Sequence, residues 1–126
     1  MNSHLIFDTN VIIDSIRGKK DAIRSIEDVG LLVLSVMSVL ELLDGCRNLK
    51  EIALVDDFIN RCRVIKLNEK ICDLGVEIFK EGKLKKGIGI GDSLIAATAL
   101  THDLTLVTLN TKHFKFIEGL RVIKPY

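Results

Sequence analysis

Leu5-Ile6-Phe7-Asp8-Thr9-Asn10 is an apolar run that stops abruptly at a carboxylate. It reads as a buried strand delivering an acid to its carboxyl end, the edge where open α/β sheets place their ligands. Leu31-Leu32-Val33-Leu34-Ser35, bounded by Gly30, repeats the pattern and again ends on a polar residue. Residues 63–67, 104–108 and 120–123 supply three further short apolar runs. Between them the spacing turns helical: over 11–17, over a short segment capped by Asp21, over 36–46 and 49–61, and over a longer segment behind Asn68. In that longer segment Ile71, Leu74, Val76, Ile78 and Phe79 supply the apolar face. The stretch 92–100 is apolar nearly all round, which predicts a central helix, and Ala96 and Ala99 share the Asp92 face, so that face can approach the sheet closely. Strands alternating with helices predict a three-layer α/β/α sandwich around a parallel sheet of about five strands, formed by a single domain over residues 1–126.

Composition narrows the class without naming a function. Hydrophobic residues make up 48 % and charged ones 28 % of 126 residues, ordinary values for a globular protein with a real core. The formal net charge of +1 supplies no global pull on nucleic acid, so any such binding must come from local patches. No signal-peptide pattern opens the chain, and the nearly uncharged run 29–40 falls short of the roughly 20 residues of a membrane span. A cytoplasmic protein is expected. Cys46, Cys62 and Cys72 are odd in number and lack CxxC spacing, which reads as packed, reduced thiols.

Three acids stand where an α/β active site would want them: Asp8 after the first strand, Glu41 in the helix after the second, and Asp92 opening the apolar helix. Each has a plain structural alternative. Asp8 and Asp92 are suited to capping the helices that follow them. Glu41 shares a stripe with Ser38 and Gly45 that solvent could cover. All three neighbourhoods are otherwise strongly apolar, however, and a parallel sheet brings their element ends together. Carboxylates gathered in a low-dielectric cleft repel one another unless a cation neutralises them. Mg²⁺, a hard ion that favours carboxylate and water oxygens, is the natural candidate, and it suits phosphodiester hydrolysis. The glycine-rich stretch 87–91 is not a phosphate-binding loop, because it follows no strand and precedes no Gly-Lys-Ser/Thr.

Four stretches carry a family resemblance: Phe7-Asp8-Thr9-Asn10-Val11-Ile12-Ile13-Asp14, Ser38-Val39-Leu40-Glu41-Leu42, Gly91-Asp92-Ser93-Leu94-Ile95-Ala96-Ala97-Thr98-Ala99, and Leu106-Val107-Thr108-Leu109-Asn110 with Phe114. In that order and at those distances they resemble the motifs of the PIN-domain ribonucleases, and most of all the VapC-type toxins of toxin–antitoxin pairs. The resemblance runs from residue 5 to residue 123. It implies a Mg²⁺- or Mn²⁺-dependent endoribonuclease with Asp8, Glu41 and Asp92 as its acidic cluster. Asp8 and Asp92 match the positions most directly tied to the metal, and Glu41 one that acts directly or through water. Thr9, Asn10 and Ser38 match supporting positions, and Thr108 a hydroxyl position able to contact the metal-bound water or the scissile phosphate. Many relatives carry a fourth acid where this chain has Asn110, so one well-held ion is expected rather than two. The implied partners are an RNA substrate, a small VapB-like antitoxin and a second copy of the chain.

For RNA contact the chain offers Arg17, Lys19 and Lys20, then Lys85 and Lys86, then Lys112, each equally suited to a solvated helix end. Among the histidines only His113, near Asn110, merits attention. Two rivals remain. A receiver or haloacid-dehalogenase phosphotransfer domain shares the expected fold, but the former needs an acceptor Asp after the third strand, where Lys66-Leu67-Asn68 stands. The latter needs a second Asp two residues after the first, where Asn10 stands. A non-catalytic PIN-like scaffold is favoured by Asn110 and opposed by the three retained acids.

Overall fold

The computed structural model describes residues 4–126, so the reading of Met1, Asn2 and Ser3 as free of a leader pattern lies outside it. Each apolar run forms a short strand: β1 (Leu5–Phe7), β2 (Val33–Ser35), β3 (Arg63–Ile65), β4 (Thr105–Val107) and β5 (Val122–Ile123). Every ladder is parallel, in two hydrogen-bonded groups, β1-β4-β5 and β2-β3. β2 lies beside β1, so the five strands follow one another in the order 3-2-1-4-5. With no more than three residues per strand, a slight divergence leaves β1 and β2 in contact without a ladder. The order reverses direction between β1 and β4, the switch point at which a crevice opens outside the strands' carboxyl ends.

The connecting helices are α1 (Thr9–Ile16), α2 (Lys20–Glu27), α3 (Val36–Asp44), α4 (Leu49–Ile59), α5 (Glu69–Lys86) and α6 (Ile90–Thr101). Alternation along the strands divides the core into the three expected layers. Ile6, Val33 and Leu106 point to one face, where they meet Ile71 and Ile78 of α5 and Ile95, Ala96 and Ala99 of α6. Phe7, Leu34 and Val107 point to the other, against Val11 and Ile12 of α1, Ala22 of α2, Leu42 of α3 and Val55 of α4. Among the described residues no helix is long and apolar enough to cross a membrane.

Several local expectations change. Asp21 does not cap α2; Lys19 holds that position without a side-chain bond, and Asp21 sits in the first turn. Asn68 does cap α5, accepting from the Ile71 N–H at 2.8 Å. Val76 faces outward, and two small residues of α5 make close approaches instead. A Cβ on Gly75 would stand 2.7 Å from Leu94 Cδ2 of α6, and one on Gly82 would strike the Phe116 ring and Ile88, so α5 approaches its neighbours at positions without side chains. Cys46 and Cys62 are half-buried and donate to the Leu42 and Phe58 carbonyls, whereas Cys72 is exposed rather than packed.

Candidate active site

Strand register builds the first corner of the site. Ile6 pairs with Leu106 and Phe7 with Val107, so the next residues, Asp8 and Thr108, come to lie side by side at the sheet's carboxyl edge. The Asp8 N–H still bonds to the Val107 carbonyl at 2.9 Å. Both carboxylate oxygens of Asp8 are engaged: Oδ1 accepts from the Thr9 N–H at 2.8 Å and so caps α1, and Oδ2 accepts from the Thr108 hydroxyl at 2.7 Å. Thr108 accepts in turn from the Asn110 N–H at 3.1 Å and from the Asn10 amide at 3.5 Å. Asn10 Oδ1 accepts from the Leu109 N–H. The cap role and a ligand role are therefore compatible, because each carboxylate oxygen keeps a second lone pair.

A second chain of hydrogen bonds joins α1 to α3. The Ser35 hydroxyl accepts from the Met37 N–H and starts α3 at the end of β2. Ser38 and Glu41, three residues apart, then share the face turned toward α1. Thr9 Oγ1 lies 2.9 Å from Ser38 Oγ and 2.5 Å from Glu41 Oε1. A hydroxyl has one proton and a carboxylate only accepts, so Thr9 donates to Glu41 and Ser38 donates to Thr9. Ser38 is fully buried, and Glu41 is half-buried rather than part of a solvated stripe.

α6 contributes the third acid. The helix begins at Ile90, two residues earlier than its apolar pattern predicts, with Gly89 in the cap position and no side-chain cap bond. Asp92 is thus a first-turn residue and not a cap. Asp8, Thr9, Asn10, Ile13, Glu41, Asp92 and Asn110 together line one cavity of about 260 Å³. The cavity brings together the three expected acids and three of the expected supporting residues, with Ser38 and Thr108 behind them. Ile13, one turn along α1, is an apolar wall that went unremarked in the sequence.

Burial governs the electrostatics. Asp8 is 4 % exposed, and desolvation pushes its pKa up to about 6; the Asp92 and Glu41 charges add to the rise, against the hydrogen bonds from Thr108 and Thr9. Asp92 is also raised, first by burial and then by Glu41, with His113 and the Gly89 backbone acting in the opposite sense. His113 is the one histidine near the acids, as its position suggested. The basic residues behave differently. Arg17, Lys19, Lys20, Lys85, Lys86 and Lys112 are all exposed and none lines the acidic cavity. Lys19 stands 5.1 Å above the Tyr126 ring, whose hydroxyl donates to Asp14 of α1 at 2.7 Å. Arg17 lines a larger neighbouring groove of about 650 Å³ that shares Ile13 and Glu41 with the acid cavity.

The family model for the PIN domain matches residues 5–119. This chain belongs to the PIN-domain family. Among PIN proteins it is 35 % identical over 121 residues to ribonuclease VapC10 of Mycobacterium tuberculosis, covering 93 % of this chain and 90 % of that one. It is 33 % identical to ribonuclease VapC1 of Rickettsia felis, with 94 % of each chain covered. Two solved PIN structures share the fold with a TM-score of 0.82. One is a toxin–antitoxin complex from Klebsiella pneumoniae, 30 % identical with 98 % of each chain covered. The other is a DNA-bound VapBC from Salmonella typhimurium, 28 % identical over 97 % of this chain and 98 % of its counterpart.

The donor set has a clear chemical preference. It consists of carboxylate, amide and hydroxyl oxygens, which suit a hard divalent cation rather than a soft one. Neither Lys nor Arg lines the cavity to offset its acids. Among the described residues no three His, Cys, Asp or Glu side chains form a group placed to hold a metal ion.

Proposed function

We propose that this chain is the toxin of a toxin–antitoxin pair, an endoribonuclease that hydrolyses RNA phosphodiester bonds and depends on Mg²⁺ or Mn²⁺. The observation that carries the reading is Asp8: a carboxylate almost sealed from solvent, crowded by two further acids and facing a cavity without a lysine or arginine. Such a charge cluster is costly unless a cation joins it. The similarity to named VapC ribonucleases agrees with this reading.

Asp8 and Asp92 would hold the ion directly, and Glu41 directly or through water, its second oxygen being free of the Thr9 bond. When bound, the ion lowers the pKa of water and offsets the charge that builds on a phosphate. The chain's own residues fix the geometry. Thr108 holds the Asp8 carboxylate in one orientation, Asn10 ties Thr108 to the loop after β4, and the Ser38–Thr9 pair aims Glu41 into the cavity. Asn110 adds a neutral amide at the rim, so a second ion is held weakly if at all. Arg17, Lys19, Lys20, Lys85, Lys86 and Lys112 would guide the RNA backbone from outside the cavity. By analogy with the toxin–antitoxin complexes, a small antitoxin would cover the cleft, and the chain would act in the cytoplasm as a homodimer of single PIN domains.

Purified protein incubated with mixed RNA should cut it in Mg²⁺ or Mn²⁺, leave 5′-phosphate ends, and stop in EDTA. Cutting that persists in EDTA would overturn the metal-dependent mechanism. Tight Mn²⁺ binding without any cutting would favour instead the non-catalytic scaffold that Asn110 points to.

A further inference from the structure

Gly91 stands between Ile90 and Asp92 in the first turn of α6. Its φ is not in the left-handed region that favours glycine, and alanine suits a helix better. Backbone conformation therefore gives no reason for a glycine, but space does. A Cβ at position 91 would stand 2.7 Å from Glu41 Oε2, 3.3 Å from Glu41 Cδ and 3.6 Å from Met37 Cε. The first of these is closer than real Cβ atoms come to an oxygen. The Glu41 carboxylate is the end of a flexible side chain and can turn aside, but doing so costs the bond its other oxygen accepts from the Thr9 hydroxyl, and Thr9 is buried against Ser38. The carboxylate is thus clamped between the start of α1 and the bare backbone of α6.

We propose that Gly91 is a positioning residue of the acidic site: its missing side chain lets the Glu41 carboxylate, held by Thr9, close against the first turn of α6 beside Asp92. The inference rests on the reading of Asp8, Glu41 and Asp92 as the working acids. A methyl group at position 91 pushes Glu41 off its Thr9 bond and out of the cavity, while leaving Asp8 and Asp92 in place.

The test uses the full chain with Gly91→Ala, Glu41→Ala, and both together. Gly45→Ala is the control: it lies four residues beyond Glu41 and its Cβ would meet two backbone carbonyls at ordinary contact distance, Leu42 at 3.6 Å and Glu41 at 3.9 Å, and no side chain. Gly91→Ala should cut RNA about ten-fold more slowly, the loss typical of disturbing a residue that orients a metal ligand. It should also bind Mn²⁺ more weakly, read by the paramagnetic signal of the free ion. In the Glu41→Ala background Gly91→Ala should weaken Mn²⁺ binding no further, and Gly45→Ala should change neither cleavage nor binding. In thermal melting, Gly91→Ala should lower the midpoint of the wild-type chain yet raise it in the Glu41→Ala background, where the clash is gone and only the helix preference remains. An equal melting shift in both backgrounds, or an equal loss of Mn²⁺ binding in both, overturns the proposal. A wild-type chain that neither cuts RNA nor binds Mn²⁺ would sink the functional reading, and the melting cycle would still judge the Gly91–Glu41 contact on its own.

Discussion

The corner between β1 and α1 and the first turn of α6 each present one aspartate to the same cavity, and they hold it in opposite ways. Asp8 is sealed in, with both oxygens bonded and a neighbouring strand fixing its orientation. Asp92 is half-exposed, bonded only to the Gly89 backbone, and sits on a helix that starts from a bare glycine. The first corner is a rigid anchor whose charge is costly without a neutralising cation. The second is a rim with more room to adjust. Identical side chains thus differ by environment.

The largest test of that difference is the pair Asp8→Asn and Asp92→Asn. Each should lower RNA cleavage by on the order of 10³-fold, since each removes a charge placed for the reaction. The comparison breaks if Asp92→Asn cuts at the wild-type rate, for then the rim acid plays no part.

Stability should separate the two where activity does not. The folded-state pKa of Asp8 lies at about 6 against an ordinary 3.8, so the fold holds a proton that the unfolded chain releases between those values. Metal-free stability from this group is intact below pH 3.8, falls as pH rises through the window, and is lowered by about 3 kcal/mol above pH 6. Denaturant melts in EDTA should therefore show Asp8→Asn more stable than wild type at pH 7 and matched to it at pH 4, with the gap closing when Mg²⁺ is added to the wild type. The same substitution at Asp92 should give a smaller gap. A pH-independent difference for Asp8→Asn would show that its charge is not buried at a cost.

The smallest expected effect concerns what holds the anchor. Thr108→Val keeps the shape and removes the hydroxyl, leaving Asp8 Oδ2 and the Asn110 N–H without their partner. Cleavage should fall about 10- to 30-fold, with little change in the RNA concentration that half-saturates the enzyme. Unchanged cleavage would mean that the α1 cap alone orients Asp8.

These two corners were also unequally legible in the sequence. The apolar run ending at Asp8 marks both a strand and its functional edge, because hydrophobic alternation and a terminal acid are local signals. Glu41 and Ser38 were likewise readable as neighbours from their helical spacing. The start of α6 was misjudged because Ile90 is apolar yet 69 % exposed, and Gly89 takes the cap position without a side chain to announce it. The direct bond from Thr108 to Asp8 depends on the register of β1 against β4, which no window of sequence contains. The split of the strands into two hydrogen-bonded groups has the same origin, since three-residue strands carry too little pattern to specify which neighbours form a ladder. The role of small residues in α5 was missed for a related reason: Gly75 and Gly82 matter through Leu94 and Phe116, residues that become neighbours only on folding.

The pairing of β1 with β4 also orders events in time. Among the described strands β1 has β4 as its one hydrogen-bonded neighbour, and the two are about a hundred residues apart in the chain. A growing polypeptide that has emerged only as far as α6 carries Asp8 on an unpaired strand, with no Thr108 to hold it. Long-range parallel pairings of this kind form late. The corner that holds Asp8 is therefore among the last parts of the molecule to be assembled, and a chain still lacking β4 has no partner for that carboxylate.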